Sequence, residues 1–342
     1  MDLQQLVDSG ALSVPSLTAN INNLPDTPTR IGQMGLFSEA GVSTTFVLVG
    51  IQDYRLTLVP AVPRGAPAQP KALGGMKAKP FMIPHLPQRS TVMADEVQNA
   101  RAFALSAPPE TAENMQLNGA ITAVQQKVSA LQAVHRRDND YTIEYHRIGA
   151  IRGQVMDADG SVLIDIYDEF GITQTTHSLV LGNAGTNVRG KVIEVKRLVE
   201  QRLGGVPYSG IHVLCSPEFF DQLTGHAKVE KAFDRWQEGA ALRDDLRRGF
   251  TFGGVTFEEI SSAVGADRFI PAGEAIAFPL GVPDMFITRF APADYIETVN
   301  TIGLPYYSKA RVLDFDKGIQ IESQSNALNL NTRPDVVIKL TA

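Results

Sequence analysis

The chain has 342 residues with 44% hydrophobic and 20% charged side chains, and 31 Lys and Arg against 37 Asp and Glu give a formal net charge of −6. That balance is too apolar for a disordered chain and too acidic for a general binder of polyanions. One cysteine, Cys215, and six scattered histidines leave no intrachain disulfide and argue against structural zinc, no apolar run nears the roughly 18–20 residues that span a bilayer, and no signal-peptide pattern opens the chain, so a soluble cytoplasmic protein is expected.

Residues 1–40 are rich in turn formers, as in "SVPSLTANINNLPDTPTRIGQMGLF" (13–37), and predict an extended arm. "TTFVLVG" (44–50) and "YRLTLVPAV" (54–62) read as two strands. Beyond them "RGAPAQPKALGGMKAKPFMIPHLP" (64–87) is long, basic and punctuated by Gly and Pro. From Tyr54 to Ala94 there is no Asp or Glu, while Arg55, Arg64, Lys71, Lys77, Lys79 and Arg89 are all positive. A segment of this length without secondary structure is usually functional, and a basic one on an acidic body can dock on a second copy.

The clearest helix follows. Leu117, Ile121, Val124, Val128 and Leu131 step by four and three, which sets them on one stripe and predicts a helix over about 109–137. Pro108 and Pro109 suit its first turn, and His135, Arg136 and Arg137 its negative end. "GQVMDADGSVLIDIYDEFG" (153–171) predicts a hairpin turning at Asp159–Gly160, and "HSLVL" (177–181) a strand. "KVIEVKRLVEQRLGG" (191–205) predicts an amphipathic helix ended by glycine. "IHVLCS" (211–216) is a buried strand leading into a helix capped by Ser216, opened by Pro217 and stopped at Gly225. "KVEKAFDRW" continues as helix, with Trp236 as a core anchor. "FTFGGVTFEEI" (250–260), "AIAFPLG" (275–281), "RVLDFDKGIQIES" and "DVVIKLT" are strands. Helices and strands interleave without a β-α-β rhythm, so the class is α+β.

Catalytic patterns are weak. "GTNVRGKV" (185–192) fits G-x-x-x-x-G-K after a strand and before a helix, but Val192 stands where a Ser or Thr would ligate magnesium. Turn-shaping glycines and a solvated Lys191 are the simpler account. Asp165 and Asp168, read on one strand, fall on opposite faces and do not form a carboxylate pair. His212 and Cys215 are separated in the same way. No catalytic, cofactor or metal residue is assigned.

The order of features is more telling than any motif. "IPHLPQRSTVMADEVQNAR" (83–101), "KVEKAFDRWQEG" through "GGVTFEEI" (228–260) and "SQSNALNLNTRPDVVIKLTA" (323–342) resemble successive parts of the major capsid proteins of lambda-type tailed bacteriophages, the capsid E family. Asn326-Ala327-Leu328 replaces the family's proline-containing version of the last segment. The resemblance covers most of the chain beyond about residue 40. It implies a Hong Kong 97-like capsid fold: an N-terminal arm (1–40), an extended loop (41–95), a peripheral domain with its spine helix (96–185), an axial domain (186–304) and a C-terminal return (305–342). It also implies a structural protein and not an enzyme, assembling with itself as hexamers and pentamers into an icosahedral shell around double-stranded DNA in the cytoplasm of a bacterial host. Scaffold, portal and decoration proteins are the further partners implied. The extended loop would lie across a neighbouring subunit, with Arg64, Lys71, Gly74, Gly75, Lys77, Lys79 and Phe81 at the contact. Two other functions stand beside this one, a phosphate- or nucleotide-binding enzyme built on "GTNVRGK" and a phage-derived shell enclosing other cargo.

Overall fold

The computed structural model describes residues 12–51, 77–93, 95, 112–234, 245–264 and 267–342. The strand expected at 54–62, the loop residues Arg64, Lys71, Gly74 and Gly75, the helix start at Pro108 and Pro109, and Trp236 lie outside these residues.

The arm is built differently from the expectation of an irregular, extended segment. Ser13 caps α1 (Val14–Asn23) by accepting from the Ser16 amide, and Pro15 sits in the first turn, where a missing amide proton is harmless. Leu17 and Ile21, four apart, are buried. A second short helix, α2 (Arg30–Met34), ends at Gly35 in the left-handed region, and strand β1 (Ser38–Gly41) follows. Strands β2 (Phe46–Ile51) and β3 (Lys77–Met82) pair antiparallel, Phe46 opposite Met82 and Val47 opposite Phe81. The chain then enters β4 (Leu86–Met93).

The long helix α3 (Ala112–Arg152) runs 15 residues past the predicted end at 137. Its 41 residues span about 60 Å at ~1.5 Å per residue. The apolar stripe packs as expected at Val124 and Val128, which join Leu12, Leu17, Val92, Ile319 and Ile321 in one cluster. Past Leu131 the face that meets the arm becomes polar, and this conceals the helix in the sequence.

Hairpin β5–β6 (Gln154–Met156, Val162–Asp165) turns at Gly160, whose φ of 83° suits glycine. The strand stops at Asp165, which caps α4 (Ile166–Phe170) by accepting from the Asp168 amide at 3.0 Å. Asp168 is therefore helical, and the expected strand through both acids is corrected. Strand β7 (Thr175–Ser178) leads to α5 (Val188–Leu203), capped by Asn187 and closed by Gly204 in the left-handed region. Strand β8 (Gly210–Cys215), α6 (Pro217–Thr224) and α7 (Ala227–Asp234) follow, with Ser216 and Gly225 in the capping roles the sequence predicts. Next come β9 (Phe250–Phe252), β10 (Val255–Glu259), the short pair β11 (Ala263–Val264) and β12 (Asp267–Arg268), and β13 (Glu274–Leu280). The chain closes with β14 (Phe286–Phe290), β15 (Tyr307–Val312), β16 (Gly318–Ser325), β17 (Ala327–Asn331) and β18 (Ile338–Thr341).

Besides the two-stranded pairs β2–β3, β5–β6 and β11–β12, three larger sheets organise the described strands. A mixed six-stranded sheet in the order β7-β18-β13-β8-β10-β9 carries β8 and β13 at its centre, both almost continuously buried, as strands covered on two faces must be. Phe219, Phe257 and Phe278 fill its core. An antiparallel sheet β15-β16-β4 packs on the long helix, and β1-β14-β17 joins the arm to the body. Both helix-bearing and strand-bearing parts share one cluster of buried residues, consistent with the α+β class.

Candidate assembly interface

The hairpin β2–β3 has two unlike faces because alternate residues of a strand point to opposite sides. On the inner face Val49 and Phe81 are buried, and the Phe81 ring lies 5.6 Å from that of Phe170. Lys79, also on this side, donates to Glu169 Oε2 at 3.1 Å. Residues Phe81 and Lys79 thus contact α4 of their own chain, Phe81 buried there and Lys79 about half exposed. Lys77 begins β3. On the outer face Phe46, Leu48 and Met82 are exposed.

A second constellation, absent from the sequence reading, fixes the arm. Gln132, Arg136, Asp140 and Glu144 recur every four residues along α3, with Arg147 three further on, so all five share one helix face. Gln132 Nε2 donates to the Leu17 carbonyl at 3.0 Å and its Oε1 accepts from Asn20 at 2.6 Å. Arg136 Nη1 donates to the carbonyls of Ile21 and Asn22 at 2.6 and 2.9 Å, its Nη2 pairs with the exposed Asp26, and its guanidinium lies 4.9 Å over the Tyr306 ring. Asp140 accepts from the Thr27 amide at 3.0 Å and from the Tyr306 hydroxyl. Glu144 accepts from the amides of Ile31, at 2.6 Å, and Gly32, at the positive end of α2. Arg147 pairs with Glu39 and lies over Phe37.

Beyond α3 the arm reaches the large sheet. Arg30 makes a two-pronged contact with Glu258, whose Oε2 is also 2.9 Å from His212 Nε2. Burial by itself would raise the Glu258 carboxyl, but the hydrogen bonds and charges of His212 and Arg30 hold it below its ordinary value. The arm therefore bridges the long helix and the six-stranded sheet. The signal for this in the sequence was the i, i+4 spacing of polar residues from 132 to 144. A polar cleft of about 570 Å³ lies between the arm and the long helix, walled by Asp26, Gln33, Arg136, Asp140, Arg147 and Tyr306.

Elsewhere the groups weighed for chemistry are occupied. In the 183–191 loop the amides of Gly185 and Gly190 donate to the side chains of Asn183 and Asn187, and that of Lys191 to the Asn187 carbonyl. The carbonyls of Asn183 and Gly185 meet His226 and Lys228, and Lys191 Nζ bonds Glu194 at 3.1 Å. A phosphate cradle needs free amides converging on one point, and these are spent. Cys215 is fully buried and burial pushes its thiol well up, away from a nucleophilic thiolate. His212 faces Glu258 and Arg30 instead. Among the described residues no group of three or more His, Cys, Asp or Glu could hold a metal ion, and no helix is long and apolar enough to cross a membrane.

A long spine helix under an antiparallel sheet, a projecting hairpin and a separate mixed sheet define a shell-forming protein of the Hong Kong 97-type capsid fold. The crystal structure of the putative capsid protein of an E. coli CFT073 prophage has the same fold, with a TM-score of 0.52 at 12% identity over 96% of this chain and 99% of that one. The family model for phage major capsid protein E matches residues 13–342, and the chain belongs to that family. It is 26% identical to the major capsid protein of Salmonella phage Felix O1 over 95% of each chain. It is 27% identical to that of Pseudomonas phage KPP10 over 90% of each. Its role is that of a structural protein of the phage capsid shell, built from many copies of itself.

Proposed function

We propose that the chain forms hexamers and pentamers which close into an icosahedral head around double-stranded DNA, and that the segment 41–95 is the extended loop joining neighbours within each ring. One observation carries this: the β2–β3 hairpin is anchored on its inner face by Phe81 and Lys79, keeps an apolar outer face exposed, and encloses a stretch, 54–76, that holds Arg55, Arg64 and Lys71 and no acid. An anchored base and a basic, proline-stiffened continuation suit a segment that reaches beyond its own subunit. In this assignment residues 1–40 are the arm, 96–185 and 305–342 form the peripheral domain, and 186–304 form the axial domain. Assembly takes place in the cytoplasm of the bacterial host, with a scaffold and a portal as partners and a decoration protein as a further one. Packaged DNA meets the shell through weak contacts, as the net negative charge requires.

The test is to replace residues 55–75 with a short Gly-Ser linker that leaves Lys77–Met82 intact. Particles are then followed by size exclusion with light scattering and by negative-stain microscopy. The unaltered chain should give rings and closed shells, and the shortened one a folded monomer. Normal shells from the shortened chain would sink the assignment.

A further inference from the structure

Among the described residues two groups of exposed apolar side chains stand out. One is the outer face of the hairpin, where Leu48 and Met82 are 63% and 68% exposed beside Phe46. The other is the turn at 291–305 between β14 and β15, where Ile296, Val299, Ile302 and Leu304 are 90%, 63%, 70% and 44% exposed. Single exposed apolar residues are ordinary, but four on one short turn mark an interaction surface.

The turn is braced. Thr298 Oγ1 donates to the carbonyls of Ala293 and Tyr295 at 2.8 and 2.9 Å, and Thr301 Oγ1 to that of Thr298 at 2.7 Å. The Leu304 amide donates to the Tyr307 hydroxyl and the Gly303 amide to the Val42 carbonyl, each at 2.9 Å. A Cβ at Gly303 would strike the Phe290 carbonyl, so only glycine allows this approach. Side chains held out on so constrained a backbone lose little further freedom when they are covered.

Charge separates the two surfaces. Residues 291–305 contain Asp294 and Glu297 and no Lys or Arg, and Glu297 is paired with Lys309 of its own chain at 2.7 Å, whereas the segment from Tyr54 to Ala94 contains only positive charges, of which Lys79 and Arg89 are paired with Glu169 and Glu322. We infer that the turn 291–305 is the acceptor on which the hairpin segment of a second copy of this chain docks, apolar face against apolar face, with Asp294 meeting the basic segment. This rests on the extended-loop assignment above and names its partner surface. A second copy is the occupant because the hairpin's inner face is already committed to Phe170 and Glu169 of its own chain, leaving both outer surfaces uncovered. Donor and acceptor are different surfaces, so each copy uses both and the contact propagates head to tail until a ring closes.

The experiment places a photo-reactive p-benzoylphenylalanine at Ile296 in the full-length chain, with irradiation of isolated particles and mass spectrometry of the products. The expected product has twice the chain mass and joins position 296 to peptides of the 46–82 segment. A crosslink to another region, a crosslink to a different protein, or no crosslink in assembled particles overturns the inference. A second variant, Ile296→Asp with Ile302→Asp, should keep the thermal midpoint of the monomer and lose closed shells. If that variant assembles normally while the loop-shortened chain does not, the acceptor is wrong and the loop assignment stands. If the loop-shortened chain also assembles, the loop assignment itself falls.

Discussion

Arg136 on the long helix donates to the carbonyl of Ile21 in the arm at 2.6 Å, across 115 residues of sequence. The same guanidinium reaches Asn22 and Asp26, so one buried cation gathers the end of α1 and the turn after it.

Replacing Arg136 by Met should therefore lower stability by about 3 kcal/mol, since two carbonyls lose their donor and the buried Asp140 loses its neighbouring cation. Asp26→Asn should change it by less than about 1 kcal/mol, because Asp26 is exposed. Urea denaturation of the two variants checks the contrast, and equal effects would contradict the geometry.

His146 lies buried on the same helix, and neither ring nitrogen has a hydrogen-bond partner among the described residues. Burial pushes it down from 6.5 to about 4, against a smaller opposing pull from Asp157. The folded state binds this proton less readily than the unfolded one, so stability is full above about pH 6.5 and falls as pH drops towards 4. The contribution is on the order of 3 kcal/mol. His146→Leu should flatten that part of the stability–pH curve, measured as denaturation midpoints between pH 7 and 4. An unchanged slope would exclude His146 as its source.

Phe81→Ala should free the hairpin base, costing about 3 kcal/mol through the cavity left against Phe170, and should speed amide exchange across β2 and β3. Lys79→Ala should cost less than about 1 kcal/mol, as both partners are about half exposed. Exchange rates in the paired strands, read by mass spectrometry, distinguish anchor from ornament.

Titration of the chain with ATP and magnesium should release no heat, and Lys191→Ala should leave the stability within about half a kcal/mol of the parent, because the ion pair of its side chain, with Glu194, is largely exposed. Saturable binding lost in that variant would restore the phosphate-loop alternative.

What the sequence disclosed divides along physical lines. Where local chemistry sets structure, elements were legible: Ser216 and Pro217 before α6, Gly204 after α5, Gly160 in the hairpin turn. Where tertiary contacts set it, they were not. The helix beyond Arg137 stays hidden because the face that meets the arm is Arg136, Asp140, Glu144 and Arg147, buried polar residues that an apolar-stripe criterion cannot see. The arm helices were missed although Ser13 and Pro15 mark a start and Leu17 and Ile21 share a face. For the interface, the basic character of 54–94 was plain, but which side of the hairpin faced outward depended on its register. Strand parity put Lys79 and Phe81 together on one side, and only the burial of Phe81 against Phe170 shows that this side is inward.

The last strand, Ile338–Thr341, does not lie at an edge of the six-stranded sheet but between β7 and β13, parallel to one and antiparallel to the other. A chain emerging from the ribosome cannot complete that sheet until β18 is free, because β7 and β13 have no direct ladder to each other. A chain cut before Ile338 is left with two unsatisfied strand edges, those of β7 and β13. In a shell that must tile without gaps, a copy lacking β18 would carry open strand edges inside a sheet that this segment otherwise closes.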